Sequence, residues 1–144
     1  MGPALPALEW QAIVPAAGFF NVKRDLDLVR KLSLHFEAKP DDRAEECPAI
    51  EGYSELEVKY HLLLMDEAGL VRCEREVTPT GRTICVLPMS LTWHGHEFLE
   101  AARNNEFWRR AKAHVLAKSG ALSFEVLKSV LLLLAKQGVE PLTN

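Results

Sequence analysis

Between Lys23 and Gly138 the apolar residues recur with a helical period in five places and alternate with polar ones in two, with turn-forming residues between the blocks. In the first block Leu28, Val29, Leu32 and Phe36 share one face, and Asp25 and Asp27 sit in the opening turn, where the helix dipole favours acid. The pattern predicts a helix from about Lys23 that ends before Pro40. Residues 39–48 are charged, bounded by prolines and aperiodic, which predicts a surface loop, followed by a short extended piece at Ala49 and Ile50. The next helix has a sharply marked start. Ser54 can accept from the backbone at Glu57 while Glu57 reaches back, and Tyr53 can pack on Val58, so a capping box and a hydrophobic staple coincide. That helix runs to Ala68 and closes at Gly69, a residue free to adopt the left-handed conformation.

Residues 70–77 and 83–87 alternate or are β-branched, and residues 78–82 between them are rich in turn formers, which predicts a hairpin. After Pro88, Thr92 is suited to cap a helix from about Trp93 to Arg103, with Trp93, Phe98, Leu99 and Ala102 available for one face. Asn104 and Asn105 interrupt it. A helix from about Glu106 to Ala117 is expected to bury Phe107, Trp108, Ala111 and Val115 and to turn Arg109, Arg110 and Lys112 to solvent. The spacing of Trp93, Phe98, Phe107 and Trp108 suits stacking in the core between these two helices. Ser119 and Gly120 end the second of them, and the last helix runs from a Ser123 cap to Gly138.

The last helix presents Phe124, Leu127, Val130, Leu131 and Leu134, and Val126 and Leu133 make it apolar around much of its circumference. Such a helix needs cover on two sides. Its own domain can supply one and a second copy of the chain the other, so a homodimer through Phe124, Leu127, Val130, Leu131 and Leu134 is expected. The fold class read from these elements is mainly α with a small β hairpin, a winged helix-turn-helix-like domain with additional C-terminal helices. The winged part spans residues 22–103 and the C-terminal helical extension residues 104–144. Residues 1–21, with three prolines and a single charge at Glu9, read as an irregular N-terminal arm.

Composition narrows the function. At 144 residues, 48% of them apolar, the chain can bury one globular core. Its longest apolar run, residues 130–135, is far short of the roughly 20 residues that span a bilayer, so no membrane partner is expected. Cys47, Cys73 and Cys85 are odd in number and irregular in spacing, and no secretory signal precedes them, which points to reduced thiols in a cytoplasmic protein. The net charge of -3 withholds bulk attraction to phosphate, so nucleic-acid binding would have to come from local patches.

Candidate chemistry is thin. Cys73, Cys85, His94 and His96 are ligand types that suit zinc, but there is no tight cysteine pair, and two histidines two apart near a helix start point in different directions; no metal or other cofactor is expected. Each of His35, His61, His94, His96 and His114 could serve as a base. No serine or cysteine sits in a nucleophile elbow and no glycine-rich loop follows a strand, so enzymatic activity is not expected.

The order helix, short strand, helix, hairpin, helix is that of winged-helix modules. Val58, His61, Leu62, Met65, Ala68, Gly69 and Leu70 stand as in small bacterial repressors of the arsenic-sensor and multiple-antibiotic-resistance types, and Leu91-Thr92-Trp93-x-Gly95 resembles the segment after the wing in the second group. A closer resemblance is to a family of uncharacterised bacterial and prophage proteins that begin Met-Lys-Arg-Asp-x-Asp-Leu-Ile-Arg. Their Gly-Tyr-Ser, Tyr-His-Leu and Leu-Thr-Trp-x-Gly-His-x-Phe-Leu segments match Gly52 to Ser54, Tyr60 to Leu62 and Leu91 to Leu99, and their start matches Lys23 to Arg30. The match continues through Arg103, Trp108 and the segment from Ser123 to Lys128. Val22 stands where members have the initiating methionine, as a GTG start codon would give, which would make residues 1–21 upstream sequence.

The repressor resemblance implies a DNA-binding regulator with double-stranded DNA as partner, and the closer resemblance implies a phage or prophage origin. Lys59 and Tyr60 would contact bases, and Arg72, Arg75 and Arg82 on the wing would hold phosphates. His61 aligns with a residue at the base of the reader helix, a structural place. The charge of that helix is adverse: residues 51–67 carry five acids (Glu51, Glu55, Glu57, Asp66, Glu67) against Lys59. The alternative reading is a winged-helix module that binds protein and not DNA, for example a phage product docking on a host complex.

Overall fold

The computed structural model describes residues 23–139, so the arm assigned to residues 1–21 lies outside the described residues. Five helices and one hairpin follow one another there: α1 Leu26–Glu37, α2 Glu55–Glu67, β1 Val71–Val77, β2 Thr83–Leu91, α3 Trp93–Ala102, α4 Asn105–Ser119 and α5 Phe124–Val139. The expected class is the observed one, mainly helical with a two-stranded antiparallel hairpin in winged-helix-like order.

The local signals act as their chemistry dictates. Asp25 opens α1 by accepting from the amides of Asp27 (2.9 Å) and Leu28 (3.3 Å). Both halves of the α2 capping box are made, Glu57 N to Ser54 Oγ at 3.1 Å and Ser54 N to Glu57 Oε1 at 3.0 Å. Gly69 turns left-handed at φ +73°, which lets the Leu70 amide return to the Met65 carbonyl at 2.9 Å and close the helix.

Two elements depart from expectation. Strand β2 does not stop at Leu87 but runs through Pro88 to Leu91, pairing Cys73 with Pro88, Arg72 with Ser90 and Val71 with Leu91. The irregularity between Arg72 and Cys73 leaves Met89 unpaired as a bulge, and a two-stranded sheet is all edge, so a residue without an amide hydrogen is tolerated. The outer side of this strand is held by residues 38–54: the Glu45 amide donates to the Pro88 carbonyl at 3.0 Å and Lys39 Nζ to the Met89 carbonyl at 2.5 Å. The extended piece expected at Ala49 and Ile50 forms no strand. Its backbone turns instead, with the Tyr53 amide on the Ile50 carbonyl at 3.1 Å.

One core joins all five helices. Leu28 and Leu32 of α1, Val58, Leu62 and Met65 of α2, Phe98 and Leu99 of α3, Ala111 of α4 and Leu127 and Leu131 of α5 are all buried in it. The C-terminal extension therefore packs on the winged part and completes its core. Trp108 is 4% exposed and meets Phe98 edge-on at 6.1 Å. Trp93, expected beside them, is 75% exposed. Five residues separate it from Phe98, a rotation of about 140° around α3, so when Gly95, Phe98, Leu99 and Ala102 face the core Trp93 cannot.

Candidate functional site

The segment Lys23 to Arg30 is a clamp, built from the side chains of Asp25, Asp27 and Arg30. Asp25 caps α1 and also accepts from Tyr53 Oη at 3.0 Å, while its own amide donates to Nε2 of buried His61 at 2.8 Å. That bond fixes the tautomer. Nε2 must carry the lone pair, so Nδ1 carries the hydrogen and donates to the Glu57 carbonyl, 2.8 Å away. Asp27 accepts from Trp108 Nε1 at 2.7 Å and from Lys112 Nζ at 2.6 Å. Burial works against its charge, yet the hydrogen bonds from Lys112 and Trp108, with the charges of Lys112 and Lys31, outweigh it and hold the carboxyl below the usual carboxylate range. Lys112, expected to face solvent, is thus drawn inward. Arg30 reaches the last carbonyls of α3, Ala102 at 2.6 Å and Arg103 at 2.9 Å, and its guanidinium lies 5.5 Å from the Trp108 ring centre.

The segment Leu91 to Leu99 is a second joint. The Thr92 amide donates to the Leu70 carbonyl at 3.0 Å, and its hydroxyl donates to the Gly69 carbonyl while accepting from the Gly95 amide at 3.0 Å. A Cβ on Gly95 would stand 2.0 Å from the Leu70 carbonyl oxygen, so the start of α3 can sit against the end of α2 only with glycine there.

The residues expected to read DNA do not form a basic surface. Lys59 is exposed but lies 3.2 Å from Glu55 on the same helix. Tyr60 is half-buried, edge-on to His61 at 5.7 Å. Arg75 is bound by Asp66 of α2, with Nη2 at 2.6 Å and Nε at 2.8 Å. Arg72 stands at the hairpin base, 3.5 Å from Ser90 Oγ, and Arg82 is exposed at the tip. Helical spacing already turned Tyr60 and Leu63 outward on α2; the residue that reading missed is Leu56, 58% exposed, which stands on the same face. A helical wheel holds that signal, since Leu56, Tyr60 and Leu63 lie opposite Val58, His61, Leu62 and Met65. One flank of α2 is walled: a cleft of about 800 Å3 separates Tyr60 and Leu64 from Leu116 of α4 and Leu122 of the α4–α5 connection.

The thiols of Cys47 and Cys73 and the histidines are dispersed. Burial, reinforced by Asp66 and partly offset by Arg75, pushes the Cys73 thiol up to about 12, so it stays protonated at neutral pH. In the backbone register Cys73 stands opposite Pro88 and Cys85 opposite Glu76. Among the described residues no three histidine, cysteine or acidic side chains converge on a point that could hold a metal. His61 spends both ring nitrogens on backbone partners and His35 pairs with Glu45 at 2.8 Å.

Fold and surface together define a winged-helix-like domain with a C-terminal helical pair, whose exposed helix face is apolar and acidic. The chain belongs to the family described as "Hypothetical protein (DUF2513)", whose model matches residues 23–121. It is also similar to an uncharacterised protein of Haemophilus influenzae, 32% identical over 110 residues that cover 76% of this chain and 92% of that one. No solved structure gives a significant match.

Proposed function

We propose that the chain works by docking on another protein through the outer face of α2. Leu56, Tyr60 and Leu63 are the apolar centre of that face, and Glu51, Glu55 and Glu67 are its rim. The carrying observation is where the cations go: Lys59 and Arg75, two of the four that would serve a DNA reader, lie against Glu55 and Asp66 of α2 itself. A partner with exposed apolar side chains ringed by lysine or arginine fits this surface, whereas duplex phosphate would meet like charge. On this reading the protein is a cytoplasmic recognition module without a catalytic centre, of phage or prophage origin.

The DNA reading keeps one supporting feature, the exposed wing guanidiniums Arg72 and Arg82. Affinity capture from nuclease-treated bacterial lysate separates the two. The wild type is expected to retain a protein that is lost with Leu56→Asp or Leu63→Asp and kept with Arg72→Ala and Arg82→Ala. Retention of nucleic acid before nuclease treatment, and of nothing after it, would replace this proposal with the DNA reading.

A further inference from the structure

The last helix is half inside and half outside. Leu127 and Leu131 are fully buried, with Phe124, Val130 and Leu134 packed around them, so the residues expected to meet a second copy are mostly consumed by the chain's own core. The opposite side is left apolar: Val126 is 49% exposed, Leu132 53% and Leu133 55%, with exposed Ser129 among them. Because α5 is the outermost element, no other described helix lies over this side.

The charges on this side are arranged for a partner of the same sequence. Glu125 and Lys136 stand eleven positions apart in the sequence, both exposed and within the arc of the apolar strip near its two ends, and neither has an ion pair among the described residues. In an antiparallel pair of identical helices, the N-terminal end of the strip on one lies against the C-terminal end of the strip on the other. Centring the pair between Val130 and Leu131 sets Glu125 of each copy beside Lys136 of the other, twice, with Ser129 of each copy level with Leu132 of the other and Val126 and Leu133 along the same contact. A parallel pair would set Glu125 on Glu125. From this complementarity we infer that the chain forms a two-fold dimer through antiparallel α5 helices, the interface being Val126, Ser129, Leu132 and Leu133 with Glu125 and Lys136 at its ends. The contact is one helix face, at the small end of specific interfaces, so the dimer is weak and concentration-dependent.

Sedimentation of the full chain across a concentration series tests this. The mass is expected to rise from 16.1 kDa towards twice that value, and Leu133→Glu is expected to hold it at the monomer with an unchanged circular dichroism spectrum. Glu125→Lys or Lys136→Glu alone should weaken association about tenfold, since attraction turns to repulsion at both ends, and the double exchange should restore it. These positions are exposed, so the exchange remains decisive if Leu133→Glu disturbs folding. A wild type that stays monomeric throughout overturns the inference. So does a dimer that the single exchanges leave unchanged, or that the double exchange fails to rescue.

Discussion

The first turn of α1 and the outer side of α2 with the wing use the same materials, acids, cations and an aromatic ring, but their bonds run to different distances. At α1 they cross the chain: Asp25 to residues 28 and 36 positions away, Asp27 to residues 81 and 85 positions away, Arg30 to a carbonyl 72 positions away. On α2 and the wing they stay local, Lys59 with Glu55 four residues back and Arg75 with Asp66 nine back. A polar group whose partner is remote closes the fold, and losing it orphans a buried donor or acceptor. A polar group paired with its neighbour sets the charge of a surface and holds little together.

Substitutions can break this contrast. The largest expected effect is at the clamp's aromatic centre: Trp108→Ala should cost about 3–5 kcal/mol in denaturant unfolding, because it removes a buried ring and the donor to Asp27. Gly95→Ala should destabilise by about 1–3 kcal/mol or more, as its methyl group must displace the Leu70 carbonyl. His61→Leu keeps the volume and deletes the bonds to the Asp25 amide and Glu57 carbonyl, with about 1–3 kcal/mol expected.

A smaller effect is a slope. The Asp27 carboxyl is depressed in the folded protein, so its contribution is present above the unfolded value near about 4 and is lost as pH falls through the folded one. Wild-type stability should therefore decline on acidification more steeply than that of Asp27→Asn. Trp93→Ala and Leu56→Asp should change stability least, within about 0.5 kcal/mol. A loss at Trp93 or Leu56 as large as that at Trp108 would erase the distinction between clamp and surface.

Most of the fold was legible because its signals are local. The Ser54 capping box, the Gly69 stop, the Thr92 cap and the apolar faces of α1 and α4 each rest on residues within a turn of one another. What was not legible is tertiary. Nothing near Pro88 in sequence announces a bulge that carries the strand through it, and nothing near Ala49 and Ile50 says that the Glu45 amide will take the edge of β2. Trp93 and Trp108 look alike in sequence, and only the rotation that packs Phe98 and Leu99 sends one outward. The candidate site was half legible: the acidity of residues 51–67 was plain, but the pairing of Arg75 with Asp66 needed the hairpin's placement on α2.

A titration of a labelled DNA duplex by fluorescence anisotropy at low salt tests the central claim about that surface most directly. No saturable binding is expected from the wild type at any salt concentration. Saturable binding that weakens steeply as salt rises, and that is lost in Lys59→Ala and Arg75→Ala, would contradict it and make the outer face of α2 a reader of DNA.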